Sequence, residues 1–129
     1  MKKNAFAAFV ILTAQVGALQ ADGHASPVGV VDSDIGQVLA AVSSGMTLYT
    51  FSQDSSNLSN CYDGCAASWP PFLAEAGQDA VGGMGVIERR DGTQQWALNG
   101  QPLYFWQGDS ASGDVTGHGV GGVWFAAQN

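Results

Sequence analysis

The chain has 129 residues, of which 46% are hydrophobic and 12% charged, and a formal net charge of −7. That is the usual length of one domain with one core. Four Lys and Arg against 11 Asp and Glu leave no basic surface for phosphates, which excludes nucleic acid and anionic membrane as partners. A divalent cation or a basic protein surface is compatible with the charge, although acidity more often serves only solubility.

In chain order, the first segment reads as a secretory signal. Lys2 and Lys3 form a positive n-region, and Ala5 to Leu12 an apolar h-region too short to span a bilayer. A signal peptide is expected over residues 1–21, with cleavage after Ala18, Ala21 or Ala25, followed by a single β domain over 22–129. The only cysteines are Cys61 and Cys65, so no lipid-modified cysteine is expected at the cleavage point. No second apolar run offers a membrane anchor. The mature protein is therefore expected to be soluble in the periplasm or the medium. Loss of Lys2 and Lys3 would leave Arg89 and Arg90 as the only strong cations, and a lysine-free chain cannot form a Schiff base.

The mature region is organised by a repeat. Leu48-Tyr49-Thr50-Phe51-Ser52-Gln53-Asp54-Ser55 recurs as Leu103-Tyr104-Phe105-Trp106-Gln107-Gly108-Asp109-Ser110, an offset of 55 residues. The same offset relates Gly45 to Gly100, Gly64 to Gly119 and Trp69 to Trp124, and nearly relates Ala74 to Ala126-Ala127. Gly29-Val30-Val31 resembles Gly85-Val86-Ile87 with a slip of one. Repeat one spans about 28–77 and repeat two about 84–127. Residues 78–85 form a small-residue connector, too short to separate independent domains.

Each copy reads as short strands divided by turn chemistry. Residues 28–32 and 37–42 form a pair around Gly36, and residues 86–89 and 94–98 a hairpin through Asp91-Gly92. Asn99-Gly100 then leads into residues 102–106, which match 46–51 of the first copy; a last strand covers 122–126. Alternation places Tyr49 with Phe51, and Tyr104 with Trp106, on one face, with Leu48 and Leu103 on the other. One helical turn is expected at Ala66-Ala67-Ser68, stopped by Pro70. The fold class is all-β: a small sandwich or barrel-like domain of two pseudo-symmetric repeats with about seven to nine short strands. Either half alone would leave aromatic faces wet, so the halves should fold together.

The two copies of Tyr-x-(Phe/Trp/Tyr)-x-x-Asp resemble the bacterial secreted-repeat lipoproteins that carry this motif. Cys61-Tyr62-Asp63-Gly64-Cys65-Ala66-Ala67-Ser68-Trp69-Pro70-Pro71 is similar to that family's Cys-x-x-x-Cys-Ala…Trp-Pro-Pro segment, and residues 117–124 to its Gly-rich close. The resemblance covers almost the whole mature chain and implies a secreted repeat of unknown function. The chain departs from the pattern in having no lipobox, so the lipoprotein label does not transfer. Phe125 also follows Trp124 where many members carry His, which weakens a metal role there.

The candidate chemistry is sparse. Cys61 and Cys65 flank a turn, and in an oxidising compartment they are read first as a disulfide; a redox pair or a two-thiolate metal site is the lesser alternative. Asp54 and Asp109 are read first as turn-formers accepting N–H bonds from the next residues, and second as paired carboxylates meeting across a twofold axis. Asp54-Ser55-Ser56-Asn57 begins like a calcium loop, but Leu58 takes the next ligand position. Tyr49, Phe51, Trp69, Tyr104, Trp106, Trp124 and Phe125 are expected mainly in the core, with an exposed subset as a binding surface. His118 maps onto Asp63 of the other copy and could approach it as a weak metal candidate; His24 is weaker still.

The sequence therefore points to a non-enzymatic, exported binding or interaction module with no cofactor, accessory to a cell-envelope system. Its partner would be an envelope protein or a small ligand, met through Tyr49, Phe51, Asp54, Trp69, Tyr104, Trp106, Asp109 and Trp124. The alternative is a periplasmic metal-binding or redox protein using Cys61 and Cys65 with Asp63 and His118. A hydrolase or isomerase would require Asp54 and Asp109 in one pocket.

Overall fold

Two β-hairpins open the two repeats of the computed structural model, which describes residues 25–128. The signal segment and His24 lie outside that range. In the first hairpin β1 (Val28–Ser33) pairs antiparallel with β2 (Gly36–Ala41), Ser33 opposite Gly36. In the second, β5 (Met84–Glu88) pairs with β6 (Gln94–Leu98), closed by Asp91, whose Oδ1 accepts from Thr93 N (3.0 Å). A two-residue turn joins β6 to β7 (Gln101–Pro102), with Asn99 at φ 50° and Gly100 at φ 87°. Both positive values define a type I′ turn, the geometry for which Asn-Gly is selected.

The remaining strands are β3 (Tyr49–Phe51), β4 (Leu73–Ala74) and β8 (Trp124–Ala126), with one short helix, α1 (Gly64–Ser68), and a 3-10 turn at Val120–Gly122. The chain is thus mostly strand, as expected. It is not a closed barrel, however: the strands form two two-stranded sheets, β1-β2 and β3-β8, and one of four strands, β4-β6-β5 with β7 also on β6. Several strands are shorter than their apolar runs. Residues 46–48 and 103–106 are held by single bridges and cross-repeat bonds rather than continuous ladders.

The sheets are completed by exchange between repeats. β3 of repeat one pairs with β8 of repeat two, Tyr49 opposite Ala126 and Phe51 opposite Trp124. In return, Tyr104 of repeat two bridges Pro71 of repeat one. Phe72 N–H donates to Leu103 O (2.9 Å) as Ala127 N–H donates to Leu48 O (2.8 Å). Trp96 N–H donates to Phe72 O (2.8 Å) as Leu39 N–H donates to Ala127 O (2.8 Å). Phe72, not Ala74, is therefore the counterpart of Ala127. At the centre, Tyr49 and Tyr104 exchange both backbone bonds, 2.8 and 3.0 Å, and mark the pseudo-twofold axis.

The two faces of these central strands feed two cores. Leu48 and Leu103 pack with Leu39, Phe72, Met84 and Trp96 on one side. Tyr49 and Tyr104 pack with Val38, Cys61, Trp69 and Trp124 on the other. Phe125 alternates with Trp124 and Ala126 along β8, so it points outward and is 39% exposed, contrary to the core position expected for it. Each fully buried Leu or aromatic side chain contributes about 1.5–3 kcal/mol of transfer free energy.

Trp69 and Trp124 are both 5% exposed and stack face to face across the axis, with centroids 3.9 Å apart. Replacing either by Ala should cost about 3–5 kcal/mol, read from the urea midpoint. Because the rings touch, the double variant should lose less than the sum of the singles. Strict additivity would show that the two rings do not support one another.

Candidate functional site

The motif aromatics assemble into one column. Phe51 stacks on Trp124 (4.2 Å, 10°), Trp124 on Trp69 (3.9 Å), and Trp69 on Trp106 (4.2 Å, 32°). Tyr49 meets Trp69 edge-on at 5.3 Å, and Tyr104 meets Trp124 edge-on at 5.1 Å. Every contact has its symmetry mate, so the rings alternate between repeats. Close packing is enforced at Gly117, where a Cβ would lie 2.8 Å from both Trp106 and Trp69.

The polar tips cross over in the same way. Tyr49 Oη donates to Asp109 Oδ2 (2.7 Å) and Tyr104 Oη donates to Asp54 Oδ2 (2.7 Å), so each motif's tyrosine is held by the other motif's aspartate. The second carboxylate oxygens anchor distant backbone. Asp54 Oδ1 accepts from Asn60 N (2.7 Å), and Asp109 Oδ1 from Thr116 N (3.0 Å) and Thr116 Oγ1 (2.7 Å). The aspartates do fix local loops, but they bridge six or seven residues rather than capping the next ones, and they reach across the axis to do so.

This burial has electrostatic consequences. Burial, and then the bond to Asp109, hold the Tyr49 hydroxyl well above the ordinary tyrosine range. Burial raises Tyr104 as well, with Ser59 opposing and Asp54 adding to the shift. Asp54 is itself raised by burial, against the bonds from Tyr104 and Asn60 and the charge of Arg89.

Arg89 is the group that reading the sequence missed. It is 4% exposed, and donates to Ser59 Oγ (3.0 Å), Gln95 Oε1 (2.9 Å) and the Cys61 carbonyl (2.7 Å). Ser59 Oγ lies 2.6 Å from Tyr104 Oη, so Asp54, Tyr104, Ser59, Arg89 and Gln95 form one buried chain of polar contacts. Arg89 and Arg90 also sit over the Tyr62 ring at 4.3 and 3.9 Å. Among the described residues, Arg89 Nε is the one buried side-chain nitrogen or oxygen with no hydrogen-bond partner. A cation two positions after Ile87, on the same face of a hairpin strand, was the available signal.

Cys61 and Cys65 form a disulfide at the start of α1, which offers no thiolate to a metal. His118 and Asp63 are not paired. His118 Nδ1 accepts from Ala126 N (3.0 Å), and Asp63, at φ 56°, starts α1 through its carbonyl, which accepts from Ala67 N (3.0 Å). Among the described residues, no group of three or more His, Cys, Asp and Glu could hold a metal ion.

Two crevices of about 250 Å³ each flank the ring column and are related by the pseudo-twofold axis. One is lined by Trp106, Phe105 and Asp109 of repeat two and by Ser44, Met46 and Thr47 of repeat one. Its mate is lined by Phe51, Asp54 and Ser55-Ser56 of repeat one and by residues 99–102 of repeat two. Asp54 and Asp109 thus line different crevices rather than sharing one. A larger concavity of about 370 Å³ lies between Phe72, Trp96, Val42 and Leu73, but it draws on neither motif's end ring nor its aspartate. We therefore place the candidate site at the symmetric pair.

A family model for a secreted repeat of unknown function, Lipoprotein_15, matches residues 29–72 and again residues 85–128. The chain belongs to this secreted-repeat family. Its two matched segments are the two halves that exchange strands here, and their joint boundary falls in the exposed 75–83 connector. Comparison with curated proteins and with solved structures gives no match. No helix among the described residues is long and apolar enough to cross a membrane.

The raised tyrosines set the alkaline limit of the fold. Unfolded tyrosine titrates near pH 10, whereas Tyr49 and Tyr104 stay protonated to higher pH when folded. Their stabilisation is complete below about pH 10 and is lost as pH rises through the folded values. The urea midpoint should fall above that pH. Titration of both phenols near pH 10 with the fold intact, read at 295 nm, would refute the buried cross-pairing. At neutral pH, Asp109→Ala should cost about 1–3 kcal/mol by stranding the Tyr49 hydroxyl, and should couple to Tyr49→Phe but not to Tyr104→Phe.

Proposed function

We propose that this chain is an exported, non-enzymatic binding module, accessory to a system of the cell envelope, that recognises its ligand through the two crevices beside the ring column. The observation that carries this reading is the shared plan of the crevices. Each copy of the motif contributes its end ring and its aspartate to one wall, and the opposite repeat supplies the other wall from a turn. Both crevices thus depend on the exchanged architecture, and each sits on rigid structure.

The reading as a binder rather than an enzyme rests on how the aspartates are used. Each is already engaged by a tyrosine hydroxyl and by a backbone N–H, and the two open into separate crevices. General acid-base chemistry on one substrate would need both in one pocket. The metal or redox alternative draws no support from a closed disulfide and a His118 already accepting from Ala126.

A fragment library screened by ¹H–¹⁵N NMR tests the reading. Binders should shift amides around Met46 and Trp106, or around Phe51 and Gln101. Filling the Trp106 crevice with Met46→Trp should abolish the first class of hits while leaving stability within about 1 kcal/mol of wild type, read from the urea midpoint. Hits that map only to other surfaces would remove the crevices as the site.

A further inference from the structure

We infer that the Trp106 crevice binds a small organic cation carrying an alkylated ammonium group, and that its Phe51 mate does not. The inference rests on the crevices being binding surfaces and adds the chemistry of the ligand. It is carried by an asymmetry between two otherwise equivalent sites. In the Trp106 crevice the ring is an indole, the aromatic face that attracts cations most strongly, and Met46 and Phe105 supply apolar walls suited to methyl or methylene groups. In the mate the ring is Phe51, and the walls are Ser55, Ser56, Asn99 and Gln101.

The charges differ in the same sense. Asp54 is linked through Tyr104 and Ser59 to the Arg89 guanidinium, and that neighbouring cation answers part of the negative charge in the Phe51 crevice. Asp109 has no such neighbour among the described residues. The only Arg residues in the chain, Arg89 and Arg90, both lie on Tyr62, and Arg89 is bonded into the Ser59-Gln95-Cys61 cluster of the other site. The Asp109 carboxylate is oriented by Tyr49 and Thr116, neutral donors that fix it without cancelling its charge. A half-buried indole beside an oriented, uncompensated carboxylate in an apolar crevice is the arrangement that favours an ammonium ion over a neutral group of the same shape. The net charge of −7 draws such a cation toward the surface.

The test is a titration of the mature protein with choline and with 3,3-dimethylbutan-1-ol, its neutral carbon isostere, at constant ionic strength, followed by ¹H–¹⁵N NMR. Choline should shift the Trp106 indole and the Met46 and Asp109 amides, and the isostere should bind about tenfold more weakly or worse. Met46→Lys places a competing ammonium in the crevice and should eliminate the choline response with the spectrum otherwise folded. The amides around Phe51 and Gln101 should stay unshifted by choline, since the mate is not the site, and a choline response there equal to that at Trp106 would overturn the assignment. Equal binding of the two probes would overturn the cation assignment while leaving the crevice as an apolar site. A choline response that persists in Met46→Lys, or no response at Trp106 at all, would also overturn it. The fragment screen judges the crevices separately from either result.

Discussion

The structure depends on one crossing: the tyrosine of each motif is held by the aspartate of the other. A phenol buried at the pseudo-twofold axis must find an acceptor, since an unmet buried hydroxyl costs about 1–3 kcal/mol. Here the acceptor is supplied from across the axis in both directions. The arrangement fixes the register of the two central strands, the depth of the tyrosines against Trp69 and Trp124, and the position of both aspartate loops. The motif spacing follows from this geometry. The tyrosine faces inward, the aromatic two positions on shares its face and extends the column, and the aspartate begins the loop that returns over the opposite tyrosine.

Around this shared plan the two copies have solved the same local problem with different chemistry. Tyr104 has a hydroxyl partner in Ser59, which is tied through Arg89 to the second hairpin, and a disulfide braces the loop beside it. Tyr49 instead receives the Gly117 N–H at 3.2 Å, in a glycine-rich loop that presses against Trp106. Repeat one has gained a rigid polar clamp, and repeat two a tight apolar one. That difference is why the two crevices share a shape but not a character.

Much of this was legible in the chain. The repeat, the Asn99-Gly100 turn, the short helix before Pro70 and the common face of Tyr49 and Phe51 all follow from local patterns of turn chemistry and alternation. The cross-pairing of Tyr49 with Asp109 did not, because a repeat alignment relates equivalent residues without saying which of them meet. Only residues close to the axis touch their counterparts, as Trp69 touches Trp124; His118 and Asp63 lie off it and stay apart. Residue type does not mark Arg89 as buried, because arginine is seldom buried unless paired, and here its pairing is spread over three neutral acceptors. Phe125 is expected inside with the motif aromatics from alternation and the two-copy arrangement, but its place between the inward-facing Trp124 and Ala126 of β8 turns it out.

The exchanged strands also bear on how such a chain acquires its shape. β3 takes its ladder partner from β8, the last strand of the second repeat, and Trp96 N–H of the second repeat donates to Phe72 O of the first. The β1-β2 and β5-β6 hairpins form within one repeat, but the central strands and both cores need the other, so they stay incomplete until nearly all of the repeat pair has been threaded through. Long-range closure of this kind slows folding. For a secreted protein that delay is compatible with the journey: a polypeptide that cannot lock prematurely remains slack enough to cross a membrane before it sets.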